Sequence, residues 1–356
     1  MWPDNRLCDL LNITHPIIQA PMVGSCSPAL VAAVNSAGAF GSLGCGGKPI
    51  DKIRDEAAAI RRASNRGFNL NFFIRDAAQT DPEVLAAARK KLKTWYDKYD
   101  LGDPPSVLPD IGAGFDQEHL DLVLDIKPAV VSFHFGHPGT AVIDRLKDAG
   151  ITLISTATNS AEARALEEAG IDAIIAQSWE AGGHRGSHKR TAPAEGIGGI
   201  ALIPQIVDAV QVPVIAAGGI ADGRGIAAAF ALGAAGVQIG TAFLTCPEAA
   251  TEEARRTRIL NASDTDTMFT DAYSGRSARG MRSRFAQEMA HHPDPLPDFM
   301  HMYTLSTPIR QAAPDEDASF MLYGQSAAMN LQLPAGELVE KLSADALARL
   351  ACLGGR

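Results

Sequence analysis

The chain has 356 residues, 46% of them hydrophobic and 21% charged, with 41 acidic against 32 basic side chains and a formal charge of −9. That is enough apolar material for a large core and more chain than one compact domain usually needs, so a barrel with an insertion is the expectation. A nucleic-acid surface is excluded by the lack of any Lys/Arg cluster interleaved with aromatics, and a membrane span by the lack of a sustained apolar run. Five scattered cysteines, Cys8, Cys26, Cys45, Cys246 and Cys352, form no C-x-x-C pair, which argues against a disulfide framework or a zinc site and for reduced thiols in a cytoplasmic protein.

Apolar, β-rich runs alternate with Ala-rich stretches of helical character, the pattern of βα units and a parallel sheet. In chain order the pattern predicts strands at 17–22, 40–43, 68–73, 129–134, 152–155, 173–177, 212–217 and 237–240. Helices are expected at 28–37, 51–63, 82–99, 140–150, 160–170, 200–210 and 223–233. Eight strands is the number of a (β/α)8 TIM barrel. Two regions break the rhythm: a Pro-rich connection at 101–115 and a long stretch after the last strand, with helical segments at 248–260 and 283–290. The second is too long for a bare loop, so it reads as a smaller, mostly helical lid domain inserted after the last strand. The expected domains are the barrel at 1–246, the lid at 247–317 and a C-terminal return to the barrel at 318–356.

Such barrels place their chemistry at the carboxyl ends of the strands. There, Gly218 and Gly219 close one strand, and Gly240 and Thr241 close the next, offering unshielded backbone N–H groups to an anion, with a helix beginning behind the first pair. The local reading is a phosphate-bearing cofactor or substrate. His134 ends a buried strand and is either a functional group or a core histidine bonded to a carbonyl. Asn69 and Asn71 share one strand face and serve either a ligand or an internal amide network. Gln177 carries the same two readings. His184 lies in a loop with Arg185, His188, Lys189 and Arg190 that closes over an anion or is simply solvated. No Lys lies within a predicted strand, which counts against a Schiff-base aldolase, and Glu180 is the main acidic strand-end residue, which counts against a divalent-metal site.

Taken together, QAPM at 19–22, NLNFF at 69–73, SFHFG at 132–136, AQSWEAGGHRG at 176–186, PVIAAGGIADG at 213–223, GVQIGTAF at 236–243 and YGQSA at 323–327 resemble the nitronate monooxygenase family, formerly called 2-nitropropane dioxygenases. The resemblance implies an FMN-dependent barrel that oxidises a nitronate with O2 to a carbonyl compound and nitrite. It implies that Ala20, Pro21 and Met22 lie beside the flavin, that Asn69 or Asn71 and Gln177 contact it, and that Gly182, Gly183, Gly218, Gly219, Gln238, Gly240 and Thr241 hold its ribityl chain and phosphate. Gly324 and Gln325 match the family's late glycine-glutamine element, although Leu322-Tyr323 stands where the family commonly has Trp-Ala. By the same resemblance His134 is the catalytic residue, and His134, His184 and Tyr303 contact substrate.

Two other functions stay open: an NAD(P)H-dependent flavin reductase acting on quinones or enoyl thioesters, which would draw on Arg276, Arg279, Arg282 and Arg284, and a flavin-binding protein without catalysis. FMN is expected over FAD because the glycine clusters suit one terminal phosphate and no adenosine pocket is apparent. The expected partners are the nitronate, O2 and at most a second copy of the chain as a homodimer.

Overall fold

The computed structural model describes residues 1–190, 195–290 and 294–354. Its strands are β1 (Ile17–Gln19), β2 (Ser42–Gly44), β3 (Asn69–Phe73), β4 (Val130–His134), β5 (Thr152–Ala157), β6 (Ala173–Gln177), β7 (Gly183–His184), β8 (Val214–Ala217), β9 (Gly236–Ile239), β10 (Thr267–Thr270) and β11 (Ala278–Met281). Eight of them form one parallel sheet in the order β1-β9-β8-β6-β5-β4-β3-β2, and a parallel bridge between Ile18 and Phe40 brings its two edges together. This is the TIM barrel, with helices between successive strands.

Side-chain parity sorts the strand residues into two cores. Leu70, Phe72, Val131, Phe133, Leu153, Ile174, Val214 and Val237 point outward into the helix layer. Ile18, Val130, Ile154, Ala173, Ile175 and Ile215 point inward and fill the barrel, sealed at its amino end by Leu7 and Leu11 of the helix Arg6–Leu11. The same inward parity carried toward the carboxyl ends reaches Asn71, Ser132, His134, Thr156 and Gln177. The interior therefore turns from an apolar plug to a polar floor.

Some boundaries differ from the sequence pattern. β1 ends at Gln19 and not at 22, because the chain turns away at Pro21, which has no N–H to give a ladder. Four helices among the described residues went unread: Arg6–Leu11, Gln117–Ile126, His301–Ala312 and Ala335–Leu353. Gln117–Ile126 is capped by Asp116, whose carboxylate accepts the His119 N–H at 3.1 Å. Ala335–Leu353 buries Leu338, Val339, Leu342 and Ala346, a helical spacing present in the sequence.

After β9, the chain adds helices Glu253–Leu260, Arg284–Met289 and His301–Ala312, and an antiparallel ribbon, β10–β11, that pairs with β7 of the β6 loop. A separate apolar cluster joins Trp95 and Tyr96 of the helix Pro82–Lys98 to Tyr273, Phe285, Met302, Leu305 and Ile309. The cover over the barrel is thus built from two stretches of chain far apart in sequence. Among the described residues no helix is long and apolar enough to cross a membrane, no metal-binding group of His, Cys, Asp or Glu occurs, and all five cysteines are free.

Candidate active site

A cavity of about 590 Å³ opens at the carboxyl ends of the barrel strands beneath this cover. Ala20, Pro21 and Met22 form one wall, and Asn71, His134 and Gln177 line the floor. Gln238, Gly240 and Thr241 adjoin that wall, Gly240 lying beside Ala20 and Met22, and Gly182, Gly183, His184, Gly218, Gly219, Gly324 and Tyr303 complete the lining. Two residues singled out from sequence lie off it. Asn69 sits deeper, its Nδ2 donating to Ser42 Oγ and Ser132 Oγ, and Gln325 is exposed, its backbone N–H bonded to the Glu180 carbonyl.

One end of the cavity is a backbone cradle. Gly218 has φ +107, and a Cβ there would lie 2.3 Å from Ser178 Oγ; a Cβ on Gly182 would lie 2.5 Å from the Gly324 amide. Only glycine fits at either place. Ser178 Oγ, buried behind Gly218, has no hydrogen-bond partner among the described residues. Thr241 Oγ1 accepts the Gly324 N–H at 2.9 Å and ties the late return of the chain to the end of β9. The helix after the Gly218–Gly219 pair starts at Gly223, as the sequence pattern predicts, and the Asp222 carboxylate caps it by accepting the N–H groups of Arg224 and Gly225. That helix end is already satisfied by a carboxylate, so the cradle offers an anion the loop backbone rather than the helix end.

At the other end stand two histidines with different hydrogen-bond commitments. His134 Nε2 is 3.0 Å from the His184 carbonyl, which only accepts, so Nε2 carries the proton. Its Nδ1, 3.1 Å from Thr156 Oγ1, then accepts the threonine hydroxyl. Burial pushes His134 down to about 4, and the charges of Arg276 and His188 oppose protonation further, against the carbonyl bond that favours it. Both nitrogens of the neutral ring are engaged.

His184 differs. Ser274 Oγ donates its one proton to the Arg276 carbonyl at 3.0 Å and can only accept from His184 Nε2, 2.9 Å away. Nε2 therefore bears the proton, and the Nδ1 lone pair has no partner among the described residues. Burial, with His134 and Arg276 nearby, lowers this ring to about 3, so it is an unprotonated base at neutral pH. Arg276 stacks its guanidinium 3.7 Å from the Phe135 ring centroid and keeps a positive charge beside both histidines.

Gln177 spends its amide on the same loop, donating from Nε2 to the His184 carbonyl at 2.9 Å and accepting the Gly186 N–H at 2.6 Å. It fixes where His184 stands. The cover contributes residues that sequence did not single out: Arg255, Phe299, Met300 and Arg310 all line the cavity. Arg310 lies 4.1 Å from the Tyr303 ring centroid and donates from Nη2 to Thr307 Oγ1; among the described residues neither Arg255 nor Arg310 has an ion pair, and the Nε of each is buried without a partner. An ordinary surface arginine and a cavity arginine look alike in sequence, and only an unpaired, inward guanidinium marks the second. By contrast, Arg279 and Arg284 are committed elsewhere, to the Trp179 carbonyl and Thr267 and to Glu288. Arg276 and Arg282 bond the carbonyls of Ser187 and Thr265. Phe299 also walls a second cleft, of about 610 Å³, that holds Arg75, Arg190 and Arg276.

Comparison with known proteins agrees in detail. A family model described as nitronate monooxygenase matches residues 4–345. A probable nitronate monooxygenase of Staphylococcus aureus (strain JH9) is 40% identical over 348 residues, covering 96% of this chain and 97% of that protein. A solved structure of a nitroalkane oxidase from Streptomyces ansochromogenes aligns with a TM-score of 0.86 at 38% identity, over 98% of this chain and 99% of that one. FabK from Thermotoga maritima aligns with a TM-score of 0.77 at 30% identity, over 100% and 99%. With a family match spanning almost its full length and the barrel and glycine cradle in place, this chain belongs to the nitronate monooxygenase family of oxidoreductases.

Proposed function

We propose that this protein is an FMN-dependent enzyme that oxidises alkyl nitronates, 3-nitropropionate among them, with O2 to a carbonyl compound and nitrite. The observation that carries the reading is the His184 ring, which lines a cavity shared with a glycine cradle and whose Nδ1 has no hydrogen-bond partner among the described residues. When bound, the flavin supplies the redox chemistry. Gly218, Gly219 and the end of β9 would hold its phosphate, Gly182, Gly183 and Gly324 its ribityl chain, and Ala20 to Met22 with Asn71 its ring.

The chain's own residues then have distinct tasks. His184 Nδ1 takes the α-proton of a neutral nitroalkane and holds it as imidazolium beside the nitronate so formed, whose negative charge offsets the cost of a buried cation. Arg276 adds positive charge on the same side. The resemblance makes His134 the catalytic residue, either as base or as hydrogen-bond donor to the nitronate; we assign it instead to holding the His184 carbonyl, because both of its nitrogens are already bonded. Arg255 and Arg310, which line the cavity without a carboxylate partner among the described residues, suit a substrate carboxylate and favour the nitronate of 3-nitropropionate. For the domain division we keep a barrel at 1–246, a lid at 247–317 and a return at 318–356, with the helix Pro82–Lys98 lending its apolar face to the lid.

The likeness to FabK favours a second reading, an NAD(P)H-dependent reductase on the same barrel. One anaerobic experiment separates the two. Nitronate should bleach the flavin spectrum, and NADH or NADPH should do so slowly or not at all; the reverse result selects the reductase. Release of the cofactor by heat and determination of its mass distinguishes FMN from FAD.

A further inference from the structure

Asn71 reaches the cavity with a defined orientation. Its Nδ2 donates to the Ser132 carbonyl at 3.2 Å and to Ser132 Oγ at 2.9 Å. A carbonyl only accepts, so the NH2 group faces Ser132 and the amide oxygen faces the cavity. Ser132 Oγ is itself 2.8 Å from Asn69 Nδ2, which also reaches Ser42 Oγ at 3.1 Å. Asn69 and Ser132 are buried, 2% and 1% exposed, so this network has no water to replace a lost partner. β3 and β4 pair Asn71 directly opposite Ser132, and the barrel register itself sets the contact.

We infer that Ser132 is a positioning residue that presents the Asn71 oxygen as a hydrogen-bond acceptor, so that position 71 reads a ring N–H of the cofactor. The inference rests on the flavin reading above. An oxidised isoalloxazine has a single ring N–H, on its pyrimidine edge, and every other polar ring atom is an acceptor that an inward-facing amide oxygen would repel. A freely turning Asn71 would offer either group; a pinned one selects.

The test is a double-mutant cycle on FMN affinity, read by quenching of flavin fluorescence on titration into apoprotein, with thermal melts to confirm folding. N71A should weaken FMN binding by about fivefold, the loss of one hydrogen bond, and S132A, which removes the Oγ anchor and leaves the Ser132 carbonyl, by about twofold. The double variant should match N71A alone, because Ser132 acts through Asn71. Wild type should bind 3-methyl-FMN, in which a methyl replaces the ring N–H, about fivefold more weakly than FMN, and N71A should not discriminate between them. Additive losses in the double variant, or unchanged affinity in S132A, overturn the inference. If S132A does not fold, the wild-type and N71A comparison decides it, and equal discrimination by both overturns it. Failure of the wild type to bind any flavin would instead overturn the cofactor reading.

Discussion

His184→Asn isolates the proposed base from its structural surroundings. The anchors of the loop are the His184 backbone carbonyl, bonded to His134 and Gln177, and the Gly186 N–H, bonded to Gln177, and none involves the imidazole. What the ring itself contributes to structure is one hydrogen bond to Ser274, about 1 kcal/mol net, and edge contacts with Phe73, Phe135, Phe299 and Phe320 that the smaller asparagine gives up. Loss of a general base costs about 10²–10⁴-fold in rate, or roughly 2.7–5.5 kcal/mol of barrier, and it falls on the neutral substrate alone, whereas a packing loss falls on both substrates. Turnover of neutral nitroethane should therefore fall by that factor, while turnover of preformed ethyl nitronate falls less than about tenfold, since it arrives already deprotonated. Nitrite release, measured on protein of matched flavin absorbance, gives both numbers. Equal losses on the two substrates, or none on the neutral one, would refute the assignment and return attention to His134.

His134→Asn should lower both activities together, because its expected effect is displacement of the His184 loop; selective loss on nitroethane would instead mark it as the base. Stability should also depend on pH through these rings: their folded values of about 4 and about 3 lie below the unfolded value of 6.5, so stability present above pH 6.5 is lost as pH falls toward 4 and below. Urea midpoints between pH 7 and 4.5 should drop more steeply for wild type than for His134→Asn, and parallel slopes would contradict the burial argument. Gly218→Ala, with φ +107 and Ser178 Oγ 2.3 Å from the new Cβ, should purify with little or no flavin, and full occupancy would remove the cradle from the cofactor site. Arg310→Gln and Arg255→Gln should raise KM for 3-nitropropionate by about tenfold and leave KM for ethyl nitronate nearly unchanged, reflecting a lost charge-assisted hydrogen bond; a uniform rise would indicate a packing role.

The sequence by itself determined the barrel, because parallel βα units write themselves as apolar runs alternating with Ala-rich helices, and it located the cavity, because strand ends are where polar residues and glycines interrupt those runs. Asn71, Gln177, His184, Gly218 and Gly240 were all legible in that way. Roles were not legible, since they depend on which atom of a side chain is already engaged. His134 and His184 look equivalent in sequence, and only the Thr156 hydroxyl on one and the Ser274 hydroxyl on the other decide which keeps a free lone pair. Asn69 and Asn71 share a strand face, yet one sits a layer deeper and is spent on serines while the other meets the cavity. Arg255 and Arg310 entered the site because the segment after β9 folds back over the barrel mouth and packs on the helix Pro82–Lys98, a contact between segments some two hundred residues apart that no local pattern encodes. Local periodicity fixes the elements and their faces; the direction of each hydrogen bond and the placement of the cover are set only when distant segments meet.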